Sequence, residues 1–264
     1  MKTHFISETR KDFFEHWKSI HKDLVVPKYS VPAELKCFEQ LVKQNHQGFF
    51  IANLIELRFE HVFELPLTKY VNHPPNKYIT DGYEYTWQQM HRDYMDFNIQ
   101  GYRRLLYNTF QRYDPQERLK IEVFWDFLYK VKENSSEYTR LLQHIKIIES
   151  DNSFNPIFTI NLISDINFLK RKEDSTFAIK LPDKKVFFYK YSVQTKTVFD
   201  FGAISEREFA VLKLLARGLS SRQIADMLFI SPNTVDTHRR NLLEMTNCVD
   251  TTALIVYCRL LGII

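Results

Sequence analysis

"SSRQIADMLFISPNTVDTHRRN", residues 220–241, limits the fold of this chain more than any other stretch. It holds two short helical patterns with almost no connection between them. Ser220-Ser221-Arg222-Gln223 is a capping box. The serine at the N-cap and the glutamine three residues on each satisfy a backbone group that a helix start leaves orphaned. Ile224, Ala225 and Leu228 follow as an apolar stripe at helical spacing. Ser231 then caps a new helix, and Pro232 takes its first position, where no donor is lost. One helix stops at Phe229 or Ile230 and another starts at once, which is a helix-turn-helix signature.

The flanks carry the same punctuation. Ser205-Glu206-Arg207-Glu208 is another capping box, followed by Phe209, Leu212, Leu215 and Ala216 at helical spacing, with Gly218 placed as a left-handed stop. Residues 250–261 form a last helix. At about 100° per residue, helix 232–246 gathers Val235, His238, Leu242 and Thr246 on an inner side. Asn233, Asp236, Thr237, Arg240 and Glu244 gather on the outer side, with Arg239 on the flank. Side chains of this size reach base edges and phosphates in a major groove. A polar face alone is what any surface helix shows. Residues 205–264 hold seven Lys/Arg against six Asp/Glu, so charge does not select nucleic acid by itself.

The motif density does. Residues 204–264 resemble the LuxR-type helix-turn-helix in Ser205-Glu206-Arg207-Glu208, Leu212, Gly218, Ile224-Ala225, the run from Ile230 to Val235, His238 and Gly262-Ile263-Ile264. The resemblance implies a four-helix module whose third helix enters the major groove of double-stranded DNA and whose fourth often forms a dimer contact. It implies a DNA-contacting set of Arg222, Asn233, Thr234, Asp236, Thr237, Arg239 and Arg240, with Asp236, Thr237 and Arg240 at the positions that most often touch DNA. His238 matches an inward, structural histidine of the family. Asp236 departs from the family pattern, which often has lysine there. A carboxylate cannot bind a phosphate oxygen; it can accept from a cytosine amine or order Arg239 or Arg240. A homodimer on a near-palindromic site is expected, with Leu254, Tyr257, Cys258 and Leu261 of the last helix, or the N-terminal helices, at the contact. Residues 205–264 are expected to fold alone.

The front of the chain is built differently. Of 39 aromatic residues, only Phe209, Phe229 and Tyr257 lie beyond residue 204, which places a boundary near 200. Helices are expected at 8–23, 32–45 and 84–112, with Gly101 as a joint and Asp114-Pro115 as a stop. Residues 48–63 read as one or two strands, and "HPPNKY" (73–78) and "DGY" (81–83) as loops. Residues 119–131, 138–149 and 157–166 read as three antiparallel strands joined by polar turns, and 175–193 as a shorter hairpin. Residues 47–167 resemble a PAS-type sensory domain in this order: two strands, a helical middle and a three-stranded meander. The expected fold class is α+β, a PAS-like antiparallel sheet with flanking helices followed by an all-α four-helix LuxR-type domain. The expected divisions are a helical segment 1–46, the PAS-like domain 47–170, a β-hairpin or linker 171–204, and the DNA-binding domain 205–264.

Other functions lack their residues. A phosphorylated receiver would need acidic residues after a first strand. "YEYTWQQMHRDYMDFN" (83–98) has a passing likeness to an acyl-homoserine-lactone domain, so an autoinducer-like ligand stays open, as does any small molecule held by the PAS-like domain. The sequence identifies no cofactor: the Asn-Cys-Arg-Phe run of flavin photosensors is absent, and haem would need a positioned histidine, for which His73, His91 and His144 qualify by presence alone. Glycine-rich phosphate loops, nucleophile elbows and His-Glu-x-x-His are absent, so no enzyme is expected. No apolar run approaches a membrane span and the N-terminus has no signal-peptide core. Cys37, Cys248 and Cys258 fit no disulfide framework, and a cytoplasmic protein is expected. The alternative to a DNA-binding regulator is a protein-interaction adaptor that has lost DNA binding.

Overall fold

The computed structural model describes residues 3–4, 29–30, 35–45, 47–63, 73–97, 103–151, 156–171 and 174–264. The chain divides into two compact units, one of Met1–His4 with Ile166–Ile264, the other of Phe5–Asp165. Strand β1 (Thr3–His4) lies antiparallel to the strand at Thr197–Ala203 within the first unit.

In the unit Phe5–Asp165, helix α1 (Leu35–Gln44) precedes a hairpin of β2 (Gly48–Asn53) and β3 (Arg58–Phe63). Every residue of β2 is buried, and Val42 of α1 packs with Phe49 and Ile51. Buried Asn53 builds the hairpin turn: its side-chain carbonyl accepts from the N–H groups of Ile55 (3.1 Å) and Glu56 (3.0 Å).

Helix α2 (Pro75–Gln89) corrects the expectation of loops at 73–78 and 81–83. Pro75 sits in its first turn, where a missing N–H removes no bond. Gly82 interrupts the helix with φ 53° and ψ −132°. A Cβ there would meet the Leu57 carbonyl oxygen at 2.5 Å, so only glycine fits where the helix crosses the hairpin turn. The expected helix 84–112 is broken at Met90–His91, between α2 and α3 (Arg92–Asp96), and α4 (Arg103–Phe110) also lies within its span. Met90 leaves helical geometry to bridge Tyr129. The helix expected at 8–23 and the joint at Gly101 lie outside the described residues.

A short α5 (Pro115–Arg118) leads into the meander of β4 (Glu122–Lys130), β5 (Tyr138–Ser150) and β6 (Pro156–Asp165). All three strands stand within a few residues of their expected places. β6 also pairs with β2, giving the antiparallel order β4-β5-β6-β2-β3. The core of this unit holds strong polar groups. Arg140 and Asp126 are both buried and paired at 2.5 Å, and Arg140 also donates to the Tyr94 hydroxyl at 3.3 Å. Buried His73 contacts the Tyr85 hydroxyl at 2.6 Å and the Lys130 carbonyl at 3.2 Å. Burial lowers the His73 pKa and pushes that of Tyr85 up to about 12. His144 stacks on Phe124 with ring centroids 4.2 Å apart and bonds Glu122 at 2.6 Å.

In the other unit, β7 (Ser175–Lys180) and β8 (Val186–Ser192) form the expected hairpin. A third strand, β9 (Thr197–Ala203), was not expected and pairs with β8. Helices α6 (Glu206–Ala216), α7 (Ser221–Leu228), α8 (Pro232–Thr246) and α9 (Thr251–Leu260) follow. Val211, Leu214, Leu215, Ile224, Ala225 and Val235 form one core cluster among them. The fold is α+β. No described helix is long and apolar enough to cross a membrane.

Candidate nucleic-acid interface

Each helix start in the C-terminal region is set by its own side-chain device. Ser205 accepts from the Glu208 N–H at 3.3 Å while the Glu208 carboxylate takes the Ser205 N–H at 3.0 Å. Ser220 and Gln223 repeat this, at 3.3 and 2.9 Å. Gly218 takes φ 81°, the left-handed turn between α6 and α7. Phe229 ends α7 in left-handed geometry (φ 54°), an uncommon state for a large residue. Its side chain is 95% exposed, so nothing crowds it. Ser231 accepts from the Thr234 N–H at 3.1 Å and opens α8 two residues after α7 has closed.

The rotation of α8 follows from its apolar positions. Val235, Leu242 and Thr246 are fully buried and His238 is half-buried, so the expected inner side faces the core. Asn233, Thr234, Thr237, Arg240 and Glu244 are exposed. Arg222 is exposed at the start of α7. Neither Arg222 nor Arg240 has a hydrogen bond or ion pair among the described residues. The Thr237 hydroxyl donates back to the Asn233 carbonyl at 2.9 Å, which leaves its methyl and lone pairs outward.

Asp236 is less exposed than the helical wheel implies. Its Oδ1 accepts from Ser221 Oγ at 2.7 Å and from Arg239 Nη2 at 2.8 Å. Of the two uses open to this carboxylate, ordering Arg239 is realised in the structure. Ser221 was missed in the sequence because its partner lies 15 residues away on another helix. An open groove beside α8 is lined by Asp236, Arg239, Arg240, Leu243, Val249, Asp250 and Thr251.

Lys170 was also missed. It is buried, and its ammonium donates to the carbonyl of Thr246, the last residue of α8, and to Thr176 Oγ1 at 2.8 Å. It also lies 3.4 Å from the centroid of the Tyr257 ring. A cation at a helix C-terminus and over an aromatic face is favourable on both counts. The backbone adds Arg171 N–H to the Asn247 carbonyl and Val249 N–H to the Leu169 carbonyl, both at 3.0 Å. The end of α8 is thereby tied to the segment before β7.

The last helix differs from expectation. Leu254, Tyr257, Cys258 and Leu261 are at most 1% exposed within the single chain. Tyr257 spends its hydroxyl on Thr176 (3.0 Å), and burial pushes the Cys258 thiol pKa up. These side chains serve the unit's own core, so a subunit contact cannot use them as they stand. Among the described residues, no group of three His, Cys, Asp or Glu is placed to hold a metal ion.

Residues 203–258 match the family model of bacterial regulatory proteins, luxR family. The nitrate/nitrite response regulator protein NarP of Escherichia coli is 53% identical over 47 residues, 18% of this chain and 22% of NarP. The transcriptional regulatory protein DegU of Brevibacillus brevis is 29% identical over 129 residues, 48% of this chain and 50% of DegU. The chain thus spans half or less of the length of these relatives. A crystal structure of a phage VqmA–DPO complex aligns over 88% of each chain at 15% identity, with a TM-score of 0.28. Residues 203–258, which hold α6, α7, α8 and most of α9, are thus similar to the luxR-family domain.

Proposed function

We propose that the chain is a sequence-specific DNA-binding transcriptional regulator that acts as a homodimer on a near-palindromic site. The observation that carries this reading is the outer face of α8. Arg240 stands exposed and unpaired among the described residues, on a helix whose rotation is fixed by Val235 and Leu242, inside a LuxR-family domain. In this reading Arg240 and Thr237 reach base edges in the major groove and Asp236 lies beside them. Arg239 on the flank binds a phosphate, as do Arg222 at the start of α7 and Asn233 and Thr234 at the start of α8, where helix N-termini favour anions.

The unit Phe5–Asp165 is, in the same proposal, a PAS-like sensory and dimerisation domain. The support is its element order: two strands, a helical middle, and a meander whose last strand returns beside the first. Because Leu254, Tyr257, Cys258 and Leu261 are occupied within the chain, the dimer contact in this reading uses other residues.

The test is capture of sheared genomic DNA by the full chain against excess non-specific competitor. Enrichment of discrete sites with two related half-sites is the expected result. A second reading, an adaptor that no longer binds DNA, is favoured by one feature: Asp236 pairs with Arg239 and removes positive charge from the face. Recovery of no enriched site would establish that reading instead.

A further inference from the structure

Asp236 occupies the outer half of α8 at a position where the LuxR-type pattern often has lysine. Its two oxygens are in different situations. Oδ1 is saturated by Ser221 Oγ (2.7 Å) and Arg239 Nη2 (2.8 Å). Oδ2 has no hydrogen bond among the described residues, and the side chain is 46% exposed. The carboxylate is therefore pinned from two sides. Ser221 belongs to the first turn of α7 and holds it from the neighbouring helix. Arg239 holds it from one turn further along α8, neutralises its charge and is itself drawn in.

A carboxylate so held can only accept hydrogen bonds. In a major groove it is repelled by guanine N7 and O6 and by thymine O4, which are all acceptors. Two bases offer an amine. Adenine N6 stands beside the N7 acceptor, whose lone pair repels the carboxylate charge. Cytosine N4 stands beside a C–H and presents no such conflict.

We infer that Asp236 is a specificity-determining residue that selects cytosine at one position of each half-site, with Ser221 as the positioning residue that aims it. The inference rests on the DNA-binding reading above. Ser221 makes no contact with DNA in this account. It restricts the carboxylate rotamer so that Oδ2 faces the groove, and the Ser221–Asp236–Arg239 chain presents a fixed acceptor there. Arg239 then approaches the backbone with its direction already set, and its charge offsets the repulsion between Asp236 and the phosphates.

The experiment is binding-site selection with the full chain, wild type against Asp236→Ala, Asp236→Asn, Ser221→Ala and Ser221→Thr, with a thermal melt of each. The wild type should select cytosine at one position of each half-site by ~10-fold or more over other bases, the range of a good direct contact. Asp236→Ala should flatten that position alone. Asp236→Asn, which is isosteric, should shift it towards adenine, since an amide can serve N6 and N7 together. Ser221→Ala should weaken the cytosine preference severalfold with the melt unchanged, and Ser221→Thr, which keeps the hydroxyl, should restore it. If the wild type selects sites and both Asp236 variants select the same ones, the inference fails while DNA binding stands. If the wild type selects none, the DNA-binding reading fails and takes this inference with it.

Discussion

Arg140 and Arg240 are the same residue type in opposite settings. Arg140 is 1% exposed, paired with buried Asp126 and bonded to Tyr94, on a central strand of the front unit. Arg240 stands on the surface of α8 without a partner among the described residues. A desolvated charge is tolerated only when paired, so Arg140 is bound to its fold. An exposed charge keeps its hydration and can exchange it for an anion. The contrast extends to the neighbours. The front unit buries His73, Tyr78, Tyr85 and Tyr129 in a polar cluster, whereas the core cluster packed by α6, α7 and α8 is aliphatic. The C-terminal helices present their chemistry outward.

The largest effect should come from breaking the inward pair. Arg140→Ala leaves Asp126 charged and buried, at a cost of about 3–5 kcal/mol. Denaturant unfolding should register this loss. The double variant Arg140→Met with Asp126→Leu should recover most of it, because an apolar pair of similar volume removes the stranded charge. A loss under about 1 kcal/mol would mean that the pair is wet and that the contrast with Arg240 is overstated.

Lys170 comes next. Lys170→Ala strips the Thr246 carbonyl and Thr176 of their donor and should destabilise the C-terminal unit by about 2 kcal/mol, the scale of a charged hydrogen bond. For the same reason a fragment 166–264 should outlast a fragment 205–264 in a thermal melt. Equal melting of the two fragments would show that the four helices need nothing from the preceding segment.

The difference between local and distant partners also decides what could be read from the residues alone. Every cap in the C-terminal region works over three positions, as with Ser205 and Glu208 or Ser220 and Gln223. The helix starts were therefore legible, and so were the three long strands, whose polar turns mark them. Lys170 and Thr246 are 76 residues apart, and nothing near either one announces the other. The same holds for Ser221 and Asp236, whose link became visible only when α7 and α8 were packed. Local signals also misled at "HPPNKY": Pro75 is equally at home in a loop or at the start of a helix, and the choice is made by the packing of α2 on the β2–β3 turn at Gly82. Strand β9 escaped because its partner β8 and its neighbour β1 are what make "TVFDFGA" a strand.

The smallest effect concerns pH. Burial holds His73 neutral by lowering its pKa from the usual 6.5. The stabilisation linked to the neutral ring is complete above about pH 6.5, where the unfolded histidine is also neutral, and is lost as pH falls through the lowered folded value. Stability of the front unit should therefore fall on that acid side, and His73→Gln should remove the histidine's share of the slope. An unchanged slope in the variant would assign it to other groups.

In the proposed complex α8 faces DNA with Arg240 central and Arg239 on the flank. A salt titration of binding to a selected site and to a scrambled one, with the full chain and its Arg240→Ala and Arg239→Ala variants, decides this. Arg240→Ala should lose about 1–3 kcal/mol on the selected site and much less on the scrambled one. Arg239→Ala should weaken both alike and reduce the slope of log K against log salt by about one per subunit engaged. Both should melt with the wild type. If Arg240→Ala keeps full sequence preference while Arg239→Ala loses it, α8 is rotated on DNA from the orientation described, and the placing of Asp236 and Thr237 on the DNA side falls with it.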